Sequence, residues 1–132
     1  MTCLFCRLPA SRVLLRNTAA IAIRDGFPVS PGHTLVIPVR HIESFFDTTA
    51  GERSAMFELL NASRQQLQTE FAPSGYNIGI NDGAAAGQTI HHLHMHLIPR
   101  FPGDSTDPRG GVRWVIPEKA HYWTAADRAQ IP

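Results

Sequence analysis

Four histidines fall within six residues, His91, His92, His94 and His96, and the last three alternate with Leu93, Met95 and Leu97. Residues two apart on a strand share a face. The alternation therefore predicts a row of three imidazoles, neighbours about 6–7 Å apart at Cα, with the apolar residues opposite. Imidazole titrates near pH 6.5 when unperturbed, and at neutral pH it serves as nucleophile, acid, base or ligand. Three uses suit such a row. It can be a set of satisfied polar residues on an exposed sheet face. It can hold a catalytic metal, since His-x-His on a strand is a common ligand arrangement, although that needs a converging carboxylate or third nitrogen and no nearby acid is obvious in the sequence. Or a neutral histidine can attack phosphorus while its neighbours donate to the phosphate oxygens. The loop just ahead favours phosphorus. Gly83-Ala-Ala-Ala-Gly-Gln-Thr89 has small residues that let backbone amides approach an anion, and it ends in the polar side chains of Gln88 and Thr89.

A second constellation sits at the N-terminus, where Cys3 and Cys6 form a Cys-x-x-Cys pair. A redox pair of this spacing belongs between a strand and a helix of a thioredoxin-like unit, which the flanking sequence lacks. Two thiolates so spaced suit half of a zinc site, which needs two further ligands. His41 and His92 are the candidates.

The elements that must position these residues are legible in outline. Arg12–Arg16 and Ala19–Arg24 predict a short antiparallel pair turning at Asn17-Thr18. His33–Pro38 predicts a third strand ending at its proline, and Ile42–Phe46 a short helical turn. Thr49 and Glu52 have the form of a capping box. Met56, Leu59, Leu60, Leu67 and Phe71 then recur at helical spacing up to Pro73. Tyr76–Asn81 alternates like a strand, and the histidine strand follows the small-residue loop and stops at Pro99. Residues 101–111 read as a surface loop, Val112–Ile116 as a last strand and Thr124–Gln130 as a last helical turn. The order of elements predicts an α+β fold with a mainly antiparallel sheet.

At 132 residues the chain is expected to be one domain, with a core over about 3–100 and a C-terminal tail over 101–132. Its formal net charge of +1 and lack of a basic run point away from duplex nucleic acid as an obligate partner. No apolar stretch approaches the roughly 20 residues of a membrane span. Met1-Thr-Cys-Leu-Phe-Cys-Arg has no basic region leading into an apolar core. The expected location is therefore cytoplasmic, where cysteines are reduced or metal-bound.

Gly87-Gln-Thr-Ile-His-His-Leu-His-Met-His-Leu-Ile98 resembles the signature of the histidine triad (HIT) superfamily. Asp25-Gly-Phe-Pro-Val-Ser-Pro-Gly-His-Thr-Leu-Val-Ile-Pro38 resembles that family's first block, and Asn81-Asp-Gly83 stands where the family has its substrate loop. The resemblance runs over about residues 3–100 and is nearest to the branch that hydrolyses dinucleoside polyphosphates. It implies a sheet of about five antiparallel strands with one main helix and short helical turns, in a homodimer joined through that helix and a continuous sheet. It also implies roles. His94 would be the nucleophile, His96 would hydrogen-bond the phosphate or orient His94, and His92 and His33 would complete the histidine cluster. Gln88 and Thr89 would contact phosphate oxygens, Asn81 would line the phosphate site, and Asp25 would meet the ribose hydroxyls. Ile23 and Phe27 would wall the base pocket unless they serve the core. Relatives with an N-terminal Cys-x-x-Cys bind a structural zinc, which here implies Cys3, Cys6, His41 and His92 as ligands. His91 is expected to be non-catalytic, and no organic cofactor is expected.

The expected activity is hydrolysis at the α-phosphorus of a dinucleoside polyphosphate through a nucleotidyl-histidine, releasing a nucleoside monophosphate. Nucleoside phosphoramidate hydrolysis, nucleotidyl transfer and a nucleotide-binding sensor or adaptor remain the alternatives. A metal-dependent hydrolase built on the histidine row is the remotest of them.

Overall fold

Asn17 organises the first hairpin. Its Oδ1 accepts from the amides of Ala19 and Ala20 at 3.2 and 2.9 Å, and its Nδ2 donates to the carbonyl of Ala55 at 2.9 Å. One side chain thus closes the turn between β1 (Val13–Arg16) and β2 (Ala20–Arg24) and ties it to the main helix. The computed structural model describes residues 3–123. The remaining strands are β3 (Thr34–Pro38), β4 (Gly75–Ile80) and β5 (Met95–Arg100). They form one sheet in the order β1-β2-β3-β5-β4, every neighbouring pair antiparallel. With a single long helix, α1 (Ala50–Phe71), and several short 3-10 turns, this is the α+β architecture expected.

The capping box is present as predicted. Thr49 Oγ1 accepts from the Glu52 amide at 3.0 Å, and Glu52 Oε1 accepts from the Thr49 amide at 2.9 Å. Glu52 also takes two hydrogen bonds from the Arg40 guanidinium, at 2.8 and 2.9 Å. The Arg40 contacts first, and the helix-start amide second, hold its carboxyl down at about 2. Met56, Leu59 and Leu67 are buried along one face of α1 together with Ala55 and Ser63. The helix ends at Ala72 in the left-handed region, ahead of Pro73. Gly32, at φ +85°, lies so close to α1 that a Cβ would sit 2.6 Å from Leu67 Cδ2. This position needs glycine for both its φ and its space.

The sheet is covered on both faces, so β2 is buried along its length except at Arg24, and β3 throughout. Ala20, Ala22, Val36, Leu93 and Met95 pack with Ala55, Met56 and Leu59 of α1. Ile21, Ile23, Leu35 and Ile37 pack on the other face around Phe5 of the N-terminal segment. The histidines share this second face, since His96 pairs with Leu35 in the β3–β5 ladder.

Three expectations are corrected. Val112–Ile116 is not a strand: Gly111–Val115 form a 3-10 helix. Gly110 and Gly111 take positive φ (94° and 48°), and the Arg113 amide closes on the Gly110 carbonyl at 2.9 Å. A short apolar run cannot by itself distinguish strand from helical turn. The histidine strand also begins later and ends later than predicted. His92 and His94 precede β5, because the Leu93 amide bonds to the Ile42 carbonyl at 2.7 Å, away from the β3 ladder. The expected turn at Ile42–Phe46 is found at Phe45–Asp47. Thr124–Gln130 lies outside the described residues.

By contacts the chain divides into two compact units, Met1–Arg100 and Phe101–Pro132. In the second, the rings of Trp114 and Trp123 each stand 5.0 Å from that of His121. Arg109 lies 4.6 Å over Trp123 and pairs with Asp107 at 2.8 Å.

Candidate active site and metal-binding cluster

The loop after β2 and the start of β3 bring Asp25 and His33 to β5. Asp25 Oδ1 accepts from the Phe27 amide at 2.8 Å, which fixes its carboxylate, and Oδ2 lies 3.4 Å from His33 Nε2. His33 is buried at 3 % exposure, and its Nδ1 accepts from the Val29 amide at 3.2 Å. A backbone N–H can only donate, so Nδ1 is bare and Nε2 carries the proton. That proton points at His96 Nδ1, 2.9 Å away. His96 therefore accepts at Nδ1 and carries its own proton on Nε2. Burial, then the imidazoles of His94 and His33, push His96 down to about 4, with Asp25 opposing. Burial likewise lowers His33 against the pull of Asp25. Both rings are neutral at pH 7.

His94 is fixed in the complementary tautomer. Its Nδ1 lies 2.9 Å from the carbonyl of His92, so Nδ1 is the donor and Nε2 keeps its lone pair. The rings of His94 and His96 are 5.2 Å apart. One nucleophilic nitrogen and one N–H donor thus stand on adjacent members of the predicted row. Asp25, His33, His96 and His94 thus lie together, with the His92 carbonyl beside His94 and the His92 ring turned toward the cysteines.

The loop residues are placed differently. Gln88 is buried, and its amide is taken up within the protein. Oε1 accepts from the Gly83 amide at 2.8 Å, and Nε2 donates to the carbonyls of Glu43 and Ile90 at 3.0 and 3.2 Å. It braces the small-residue loop instead of presenting a free amide to an oxyanion. The amides of Ala86, Gly87 and Gln88 also bond inside this loop, to the carbonyls of Gly83 and Ala84. Asn81 and Thr89 are exposed, and among the described residues no hydrogen bond joins either to the histidines. His91 is exposed and pairs with Glu43 at 2.8 Å. Ile23 is fully buried in the core, whereas Phe27 is 91 % exposed.

The second cluster joins Cys3, Cys6, His41 and His92, whose ligand atoms all lie within 4.8 Å of one another. His92 Nδ1 is 3.3 Å from Cys3 Sγ, 3.5 Å from Cys6 Sγ and 3.2 Å from His41 Nδ1, and Cys6 Sγ is 3.3 Å from His41 Nδ1. Tetrahedral zinc, with bonds of about 2.3 Å to sulfur and 2.0–2.1 Å to nitrogen, sets its donors about 3.3–3.8 Å apart. His92 Nε2 donates to the Pro38 carbonyl at 2.8 Å, which leaves Nδ1 bare toward the cluster. Such an outer hydrogen bond is what orients a metal-ligating imidazole. Burial lowers His92 and keeps it neutral, as a ligand must be. The four residues fit a closed tetrahedral metal site. Asp25, His33 and His96 also converge, but a metal does not fit there. The Val29 amide forces the proton onto His33 Nε2, the nitrogen that would have to bind it.

Sequence reasoning missed Phe5. It is buried, and its ring stands 5.9 Å from that of His92 and 5.2 Å from that of His94. The only sequence signal was a pair of apolar residues, Leu4 and Phe5, between the two cysteines, with nothing to say which of them is buried. The backbone groups of Val29 and Pro38, which set two tautomers, carry no signal in residue type.

Residues 9–103 match the HIT domain family. A HIT-like protein of Mycoplasma genitalium is 38% identical over 104 residues, covering 76% of this chain and 74% of that protein. The asymmetrical bis(5'-nucleosyl)-tetraphosphatase of Schizosaccharomyces pombe is also 38% identical over 104 residues, covering 78% of this chain but 57% of the enzyme. Among solved structures, a zinc-bound histidine triad family protein from Mycobacterium smegmatis aligns with a TM-score of 0.71 at 34% identity, over 80% of each chain. The match spans the hairpin, the helix and the whole histidine row, and the chain belongs to the HIT domain family.

Proposed function

We propose that this HIT-family enzyme, a nucleotide hydrolase or transferase, cleaves dinucleoside polyphosphates at the α-phosphorus and releases a nucleoside monophosphate. The observation that carries the reading is the pair of opposed tautomers: a bare Nε2 on His94 beside an N–H on His96 Nε2. His94 Nε2 would attack the α-phosphorus, forming a nitrogen–phosphorus bond as the bond to the departing polyphosphate oxygen breaks. The His96 Nε2–H would donate to the charge developing on the phosphate oxygens. Water then forms the new phosphorus–oxygen bond, the nitrogen–phosphorus bond breaks, and His94 recovers its lone pair while a water proton passes to solvent. Asp25, Asn81 and Thr89 would contact the nucleotide, and Gln88 would act by holding the loop. The named activity of the Schizosaccharomyces pombe relative supports this substrate class.

The Cys3, Cys6, His41 and His92 cluster would hold zinc, a reading supported by its spacing and by the zinc-bound relative. Zinc there supplies a closed structural crosslink from the N-terminus to the histidine segment. We further propose a homodimer. The outer strand β4 exposes Ile78 at 48 %, and α1 exposes Phe57 at 50 %, surfaces that a second copy would cover. The mass in solution decides that point.

The catalytic reading is tested with α-labelled diadenosine tetraphosphate, quenched in alkaline detergent because nitrogen–phosphorus bonds hydrolyse in acid. Wild type should retain label and release AMP, and His94→Ala should do neither. AMP formation by His94→Ala at the wild-type rate removes His94 as nucleophile. Tight binding without turnover by wild type favours a sensor.

A further inference from the structure

Phe5 joins the two clusters. It lies in the 3-10 turn Leu4–Arg7, between Cys3 and Cys6, and is buried against Ile21, Ile23, Leu35 and Ile37. Its ring makes edge contacts with His92, interplanar angle 84°, and with His94, interplanar angle 67°. The χ2 torsion of histidine is broad and roughly two-fold, so its intrinsic preference does not choose which ring nitrogen faces a given group. For His94 the choice is made by one hydrogen bond to the His92 carbonyl and by two ring neighbours, Phe5 and His96, each with its centroid 5.2 Å away. Removing Phe5 leaves one hydrogen bond and one ring neighbour, His96, against a ring flip that would exchange the nucleophilic nitrogen for a carbon.

The turn carrying Phe5 is a four-residue 3-10 helix without a side-chain cap, entered by a hydrogen bond from the Cys6 amide to the Cys3 carbonyl at 3.2 Å. Its place is set by the burial of Phe5 and by the contacts of both thiols with His41 and His92. We infer that Phe5 is a positioning residue for His94, through which the cysteine–histidine cluster holds the attacking imidazole in its reactive orientation. The inference rests on the reading of His94 as nucleophile, and it predicts that the N-terminal turn governs the chemical step more than substrate binding.

The test compares Phe5→Leu and Phe5→Met with Leu4→Ala, a control at a 61 % exposed neighbour. Phe5→Met, whose unbranched and flexible side chain adapts to irregular core space, carries the test if Phe5→Leu does not fold. Each variant is assayed for kcat and KM, metal content, and His94 ring tautomer by long-range proton–nitrogen NMR. The expected result is a kcat lower by at least about tenfold, toward the roughly hundredfold that a misplacement of about 1 Å can cost, with KM changed less than about twofold. The spectrum of His94 should pass from one tautomer to an exchanging mixture, and Leu4→Ala should leave everything unchanged. Lower thermal stability in the Phe5 variants with kcat and tautomer intact overturns the inference and makes Phe5 a core residue only. If wild type forms no nucleotidyl-histidine, the proposed function fails, while the tautomer spectra still decide whether Phe5 orients His94.

Discussion

A neutral imidazole accepts at one nitrogen only when the other holds the proton, so one fixed donor dictates a chain of states. The Val29 amide is that donor. Through His33 it places a bare nitrogen on His96 toward His33 and a proton on the other side of the ring. Burial first, and then the neighbouring imidazoles, hold His96 down at about 4, and protonating it would also set two N–H groups against each other across 2.9 Å. An unfolded histidine titrates near pH 6.5. Between these values the unfolded chain binds more protons than the folded one, so stability is full above about pH 6.5 and falls as pH drops toward 4. For this one group the slope is at most about 1.4 kcal/mol per pH unit. His33, also lowered by burial, adds to it in the same direction. Glu52, held at about 2, contributes stability that is lost only below its ordinary value of 4.5. Urea midpoints measured from pH 7 to 4.5 should therefore fall in wild type and fall less in His96→Asn. Equal slopes in the two proteins would show that His96 is not the group responsible.

At the scale of elements, what the sequence disclosed is what local chemistry decides. The turn at Asn17 and the capping box at Thr49 each rest on a side chain bonding to nearby backbone, and each is where the spacing placed it. The histidine parity survived too, since Leu93 and Met95 pack toward α1 while Phe5 touches both His92 and His94. What the sequence could not disclose depends on a distant partner. β5 begins at Met95 because Leu93 bonds to Ile42. Gln88 turned inward because carbonyls at 43 and 90 were there to receive it. Ser63 is another case, a helix position that reads as polar yet lies in the core at 1 % exposure. Its Oγ is without a partner among the described residues. A buried unsatisfied hydroxyl costs about 1–3 kcal/mol, and alanine is the better helix former. Ser63→Ala should stabilise the protein by about 1 kcal/mol with an unchanged denaturant slope. Destabilisation would reveal a buried water serving the hydroxyl.

For the molecule as a whole, the question is what links an N-terminal segment with little secondary structure to a histidine segment some 85 residues later, between Cys6 and His91. Burial of Phe5 supplies part of the link, and the cysteine–histidine cluster supplies the rest. A metal that binds the folded state and not the unfolded one stabilises by mass action, and a closed four-ligand site leaves no position for substrate. Chelation should therefore lower Tm and activity together, and zinc should restore both. Cys6→Ala should behave as the chelated wild type does, with reduced zinc content and no further response to chelator. A catalytic metal predicts a different pattern, in which chelation abolishes turnover while Tm stays within a degree or two. Measuring Tm, bound zinc and AMP release on the same samples separates the two. Loss of turnover at constant Tm would move the metal from the scaffold into the chemistry and displace His94 from the centre of the mechanism.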